Sequence, residues 1–263
     1  PPSEKEVAAQ RSKAEKYRAA MASVTRARRA GDRSPETLKL VTQLQVMNSD
    51  VYTLWNYRKE MLPATFEASA ELAVTKECLK RNPKCYAAWY HRRWVLQRRP
   101  ELATAELGLC TSFLEADERN FHCWNHRRFA SALAQEPPEE VVAFALEKLK
   151  ANFSNYSAFH ELSNHLRTLE SPRSHLVLVA DAVFTEPDDQ SAWWFLECLA
   201  RHFLETNGGR DDDDAREVFV AQLEGLAELK ELEPQCKWPV LALFRLHKRL
   251  HHTARLPALH ADL

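Results

Sequence analysis

An aromatic residue returns along this chain at nearly constant intervals, and few folds tolerate such a pattern. Trp55, Trp89, Trp124, Phe159 and Trp193 are separated by 34, 35, 35 and 34 residues, and Trp238 follows after a longer gap of 45. Each stands in a segment of one type: NSDVYTLWNYRKEML, NPKCYAAWYHRRWVL, DERNFHCWNHRRFA, NFSNYSAFHELSNHL, EPDDQSAWWFLECLA and EPQCKWPVLALFRL. A polar or proline-containing cluster precedes each ring: Asn48 to Asp50, Asn82-Pro83, Asp117-Glu118, Asn152, Glu186 to Asp188, and Glu233-Pro234. Such residues stop one helix and cap the next. Between these segments lie Leu38–Met47, Glu71–Leu79, Ala103–Leu114, Val141–Leu149, Leu176–Phe184 and Arg216–Leu229, with apolar residues every three or four positions. That is the pattern of an amphipathic helix. Two helices of about a dozen residues and two short turns fill a ~34-residue period. One such hairpin cannot bury its apolar face, whereas stacked hairpins bury it continuously. The pattern predicts an all-α protein, an α-α superhelix built as a right-handed solenoid of helical hairpins.

Composition closes off the alternatives. Five Gly in 263 residues cannot supply the φ > 0 turns of a hairpin-rich β fold or a Gly-rich phosphate cradle. Lys and Arg number 36 against 37 Asp and Glu, a net charge of −1, which excludes a general nucleic-acid binder. No apolar run approaches the ~20 residues of a membrane span. The opening PPSEKEVAAQ is polar and shows no signal peptide. Six Cys, none in a Cys-x-x-Cys pair, read as reduced buried thiols of a cytoplasmic protein. Residues 1–33 carry nine Lys or Arg against four acids and are expected to form a solvated helical extension. Residues 34–250 form the repeat domain and 251–263 a tail without periodicity. TNGGRDDDD (206–214) reads as a solvent loop that accounts for the 45-residue gap. His122 and His126 share a helix face without the Glu of a zinc motif, and His247, His251 and His252 read as a solvated terminal helix. No metal site is expected.

In the first three repeats an Arg follows the Trp by three positions: Arg58, Arg92 and Arg127. Ring and guanidinium then lie side by side on one helix face. The Trp serves as a packing spacer between hairpins, burying about 200 Å². Repeat four has Phe159 and Leu162 in these places, and repeat five keeps Trp193 but has Leu196. Before Trp89 stands Lys84-Cys85-Tyr86, with an ammonium at a helix N-terminus, where the dipole favours anions. That mismatch points to a role with an anion. Arg119 holds the same place before Trp124, with Phe121 in place of Tyr.

The repeated Tyr-x-x-Trp-x-x-Arg-Arg unit resembles the repeat of protein prenyltransferase α subunits. TLWNYRKEML (53–62), NPKCYAAWYHRRW (82–94), FLEADERNFHCWNHRRF (113–129), NFSNYSAFH (152–160), DDQSAWWF (188–195) and LEPQCKW (232–238) carry the resemblance, which covers about residues 10 to 250. DERNFHCW and NFSNYS are similar to the type II, Rab geranylgeranyltransferase branch. The resemblance implies a crescent of hairpins in an obligate heterodimer with a β subunit. That β subunit holds the catalytic zinc and most of the geranylgeranyl diphosphate site. The reaction implied is geranylgeranyl transfer to C-terminal cysteines of Rab GTPases presented by an escort protein, which docks on the α subunit. No cofactor is implied for this chain. Lys84 and Tyr86 match a motif that reaches the leaving diphosphate, with Arg119 as second candidate. A point-charge ammonium stabilises the charge that builds on the leaving oxygens. Trp55, Arg58, Trp89, Arg92, Trp124, Arg127, His122, Asn155 and Tyr156 are the candidate partner interface. The α subunit shared by farnesyltransferase and geranylgeranyltransferase type I, or a non-enzymatic solenoid scaffold for peptides, are the alternatives. A scaffold has no need of Lys84-x-Tyr86.

Overall fold

Helices begin and end where the capping chemistry of the sequence puts them. A computed structural model describes residues 3–169, 172–205 and 213–251. Among these residues all regular structure is helical. The chain divides into two compact units, residues 1–135 and 136–263. The first holds α1 (Glu4–Arg29), α2 (Pro35–Met47), α3 (Tyr52–Met61), α4 (Ala68–Arg81), α5 (Tyr86–Leu96), α6 (Ala103–Ala116) and α7 (Phe121–Ala134). The second holds α8 (Pro138–Ala151), α9 (Tyr156–Asn164), α10 (Arg173–Thr185), α11 (Gln190–Glu205), α12 (Asp213–Leu232) and α13 (Lys237–Arg249). Each expected amphipathic run falls inside one helix. No helix of the described residues is long and apolar enough to cross a membrane.

Within the first unit α2 packs on α4, while α3, α5 and α7 lie side by side as a second layer. Within the second, α9, α11 and α13 form one layer and α10 packs on α12. Helix α1 starts in a capping box, Ser3 with Glu6, and buries little beyond Val24. The core of the α1–α3 end is Val24, Val41, Leu44, Leu54, Tyr57 and Met61. In the second unit Phe159, Leu162, Leu176, Phe195 and Phe219 are fully enclosed.

The turn inside each hairpin explains its recurring residues. The side-chain oxygens of Asn48, Asn82, Asp117 and Asn152 accept from the backbone N–H two residues on, at 3.2, 3.3, 3.2 and 2.8 Å. These are Asx turns, for which the short polar side chains of Asn and Asp are suited. The indole N–H of Trp55, Trp89, Trp124 and Trp193 donates, at 2.8 Å each, to the carbonyl six residues upstream: Ser49, Pro83, Glu118 and Pro187. Three of those carbonyls also accept from the N-cap side chain of the next repeat. Cys85 Sγ donates to Ser49 O (3.2 Å), Asn120 Nδ2 to Pro83 O (3.1 Å) and Cys236 Sγ to Pro187 O (3.3 Å). One carbonyl thus ties a Trp to its own turn and the following hairpin to both. The first hairpin has Val51 at the N-cap and no earlier turn to bond.

This geometry corrects the register of the sixth repeat. Cys236 N donates to Glu233 O as Cys85 N does to Asn82 O, so Cys236 and Cys85 are equivalent. The Trp position of that repeat is then held by the buried Val240, and Trp238 lies two residues early, half-exposed. Of the loop read over 206–214, residues 206–212 lie outside the described residues, and Asp213 and Asp214 open α12. In the tail, 252–263 also lie outside them.

Candidate functional site

The Trp and Arg of the motif turn inward, which corrects their expected role at a partner interface. Trp55, Trp89 and Trp124 are buried, as are Arg58, Arg92 and Arg127. Arg58 Nε and Nη2 donate to both carboxylate oxygens of Glu71 at 2.6 Å, and Nη1 to Thr42 Oγ1 at 2.7 Å. His91 Nε2 donates to the same carboxylate at 2.8 Å. One repeat later the arrangement returns. Arg92 donates to Glu106 at 2.5 and 2.6 Å, to Leu72 O at 2.8 Å and to Thr75 Oγ1 at 2.9 Å. His126 Nε2 donates to Glu106 at 3.0 Å. Each Arg therefore clamps the first helix of the next hairpin, and each His comes from that hairpin's second helix. An Arg fits because its planar fork meets a carboxylate bidentately.

Electrostatics of these rungs follow from enclosure. Burial pushes the Glu71 and Glu106 carboxyls up, but bonds from His91 or His126 and from Arg58 or Arg92 outweigh it and hold both below the ordinary carboxylate range. Burial also drives His91 and His126 below the ordinary imidazole value, against the pull of their Glu partners. The imidazoles are neutral donors, and Nδ1 of His91 has no partner. Asn155 is buried as well and caps α9, accepting from Ala158 N at 3.1 Å.

What the first unit exposes is a different set. Tyr52, Tyr86 and Phe121 each open the second helix of a hairpin and stand out at 55%, 61% and 49% exposure. Tyr156, exposed too, opens α9 in the second unit. Around Tyr86 the sequence candidates converge. The edge of its ring meets the His122 ring at 4.2 Å, and Phe121 lies 6.4 Å away. Lys84 Nζ is 3.3 Å from Asp117 Oδ2, the Lys84 side chain largely in solvent and that of Asp117 partly buried. Burial, then the charge of Lys84, holds the largely enclosed His122 below its ordinary value. Arg119 is exposed on the Asp117 turn. Lys84, Tyr86 and His122 are thus brought together, and Asp117 and Phe121 join them unforeseen. Asp117 also answers the mismatch at Lys84: the ammonium has a carboxylate from the next hairpin. The signal for the exposed row was present, since an aromatic stands three residues before the repeat ring in the first four repeats. Among the described residues no group of three or more His, Cys, Asp or Glu is arranged to hold a metal ion.

Comparison with known proteins bears on this constellation. The protein prenyltransferase alpha subunit repeat matches residues 68–99 and 103–132, the hairpins that carry Lys84, Tyr86, Asp117 and the whole Arg92–Glu106–His126 rung. The chain carries the repeat of protein prenyltransferase alpha subunits and is similar to curated proteins of that kind. Over 205 residues it is 42% identical to the geranylgeranyl transferase type-2 subunit alpha of Bos taurus, covering 68% of this chain and 36% of that protein. The protein of the same name from Saccharomyces cerevisiae is 28% identical over 194 residues, 64% of this chain and 59% of the relative. The chain spans about a third of the length of the mammalian relatives it matches. A solved structure, Candida albicans protein geranylgeranyltransferase-I complexed with GGPP, shares the fold with a TM-score of 0.75. It covers 95% of this chain and 84% of the matched one at 19% identity. The all-helical fold of that chain is thus shared over nearly the whole of this one.

Proposed function

We propose that this chain is the α subunit of a heterodimeric protein geranylgeranyltransferase of type 2. It pairs with a zinc-bearing β subunit and, with an escort protein, serves the geranylgeranylation of Rab GTPases in the cytoplasm. The observation that carries the reading is the 42% identity over 205 residues with a relative named for that subunit. The repeat domain over 34–250 supplies the stacked hairpins, and the β subunit most of the lipid pocket. In the reaction a cysteine sulfur bonds to C1 of the geranylgeranyl chain, the C1–O bond breaks, and diphosphate leaves with the electron pair. Negative charge builds on the leaving oxygens, and Lys84 offers a mobile ammonium to it. Asp117 competes for that ammonium and yields as the diphosphate arrives. The Tyr86 and His122 rings pack on each other, with His122 near enough to feel the charge of that ammonium. The chain alone performs no transfer.

The test is co-expression with a prenyltransferase β subunit, followed by transfer of labelled geranylgeranyl and farnesyl groups to an escort-bound Rab and to a free Cys-terminated peptide. Geranylgeranyl transfer that needs the escort protein supports the reading. Farnesyl transfer to the free peptide would assign the chain to the other branch. No heterodimer would leave a scaffold.

A further inference from the structure

The exposed side of α3, α5 and α7 carries cations of an unusual kind. Lys59 Nζ lies 4.7 Å from the centre of the Tyr90 ring and 5.5 Å from that of Trp94. The Arg98 guanidinium sits 4.1 Å over Trp94, and that of Arg93 4.2 Å over Phe129. Trp94 is held from beneath by Phe66 and His91, stacked at 5.1 and 5.2 Å. Among the described residues none of these three cations meets a carboxylate, whereas Arg28, Lys80, Lys84, Arg99 and Arg249 each do. Burial, then the charge of Arg98, holds Lys59 below the ordinary lysine range. Tyr90 is 64% exposed and lies one turn along α5 from Tyr86, which makes the face continuous with the Lys84 cluster.

We propose that Lys59, Tyr90, Arg93, Trp94, Arg98 and Phe129 form a protein-docking face that receives a carboxylate-rich surface of the partner subunit. Ring-held cations are already ordered, so a partner's carboxylates gain charge–charge attraction with little further loss of side-chain freedom. Aromatic residues and Arg are also the types that concentrate binding energy in interfaces. A nucleic-acid strand is the less fitting occupant, because the chain as a whole carries no basic excess. The identity of the partner as the β subunit rests on the function proposed above; the acidic character of its surface rests on the face alone.

The experiment measures dissociation of the co-expressed heterodimer by analytical ultracentrifugation at 50 and 300 mM NaCl, salt levels chosen to bracket Debye screening. Wild type is compared with K59E/R93E/R98E and with the neutral K59M/R93M/R98M, each checked for native helicity. Expected is a Kd raised roughly 100-fold by charge reversal, less by neutralisation, with the salt dependence flattened in both. An unchanged Kd and salt slope in a folded charge-reversed variant overturns the proposal. Should the wild-type chain form no heterodimer, the functional reading fails. The face is then judged by a fluorescent 12-residue Glu-rich peptide against an oligothymidylate of equal length. Peptide binding lost in the charge-reversed variant upholds the face. Oligothymidylate binding alone, or no binding of either, overturns it.

Discussion

Replacing Arg92 by Met isolates the energetics of a buried rung. Arg92 makes four enclosed hydrogen bonds, two of them to Glu106, and both side chains are nearly inaccessible to water. Met keeps much of the volume and removes the charge. Glu106 is left buried with only the neutral His126 as donor, and Leu72 O and Thr75 Oγ1 lose their shared donor. Breaking a buried pair by removing one partner costs about 3–5 kcal/mol. In a domain of this size that lowers Tm by about 10 °C. The assay is urea and thermal unfolding of the full chain at pH 7.5, followed by far-ultraviolet circular dichroism. The informative companion is R92L/E106L/H126F, which removes every charged member of the rung at once. His126 already packs on the Trp89 ring at 5.0 Å, so Phe finds an aromatic neighbour there. Because desolvation of the charges disappears with them, the triple variant is expected within about 1–2 kcal/mol of wild type. A single variant that loses less than about 1 kcal/mol, or a triple variant as unstable as the single one, would refute the reasoning.

Acid should weaken the fold from near neutrality. His91 and His126 are held below 6.5, so between their native values and 6.5 the unfolded chain binds more protons and stability falls as pH drops; the depressed Glu71 and Glu106 extend the loss below about 4.5. A urea midpoint that rises between pH 7.5 and 5.5 would contradict this. Trp124→Ala should cost about 3–5 kcal/mol through the cavity, and Trp124→Phe about 1 kcal/mol beyond its volume change for the lost bond to Glu118 O; a Phe variant that loses no more than its volume change would deny the indole bond its role. All six thiols are buried, and Cys78 is pushed up to about 12 chiefly by burial, so a thiol-reactive disulfide at pH 8 should label the native chain only at its unfolding rate; rapid labelling of any one places it at the surface. In the reconstituted heterodimer Lys84→Ala should lower kcat with assembly intact, while Asp117→Asn, which frees the ammonium, should tighten product inhibition by diphosphate; unaltered turnover in the first removes Lys84 from the site.

The repeat period, the helices and the hairpin turns were legible because their causes are local. Apolar spacing sets a helix, and Asn, Asp or Pro ends it within a few residues. The direction of Arg58 and Arg92 was not legible, since a side chain at i+3 from a Trp shares its face without revealing what the face meets. Their partners do have a sequence signature. Glu71 and Glu106 stand 18 residues before the Trp, and His91 and His126 two after it. Those offsets acquire meaning only once consecutive hairpins are stacked. The sixth repeat shows the opposite hazard: the conspicuous Trp238 drew the alignment, while Glu233-Pro234, matching Glu186-Pro187, already gave the correct register. At the candidate site, Lys84 and Tyr86 were evident from their motif. Asp117 and Phe121 come from the following hairpin, so only the stack brings them to Lys84.

The repeats themselves test whether a charged rung is required. At the positions of Arg58, Glu71 and His91 the register places Leu162, His175 and Phe195 in the second unit. Leu162 and Phe195 are fully enclosed, and Phe195 lies 5.3 Å from Phe159. His175 is buried and, through that burial, held below the ordinary imidazole value, so it too sits there without charge. One chain thus uses two solutions at equivalent positions, a bidentate ion pair with a His donor and an apolar packing. Burying an ion pair seldom stabilises more than the apolar residues that could replace it. What the pair adds is geometry: a guanidinium fork meeting a carboxylate admits one orientation, whereas Leu on Phe tolerates several. The charged rungs occur in the hairpins that position Lys84, Tyr86, Asp117 and the ring-held cations. The hairpins proposed to present Lys84 to the diphosphate are thus the ones fastened by directional bonds.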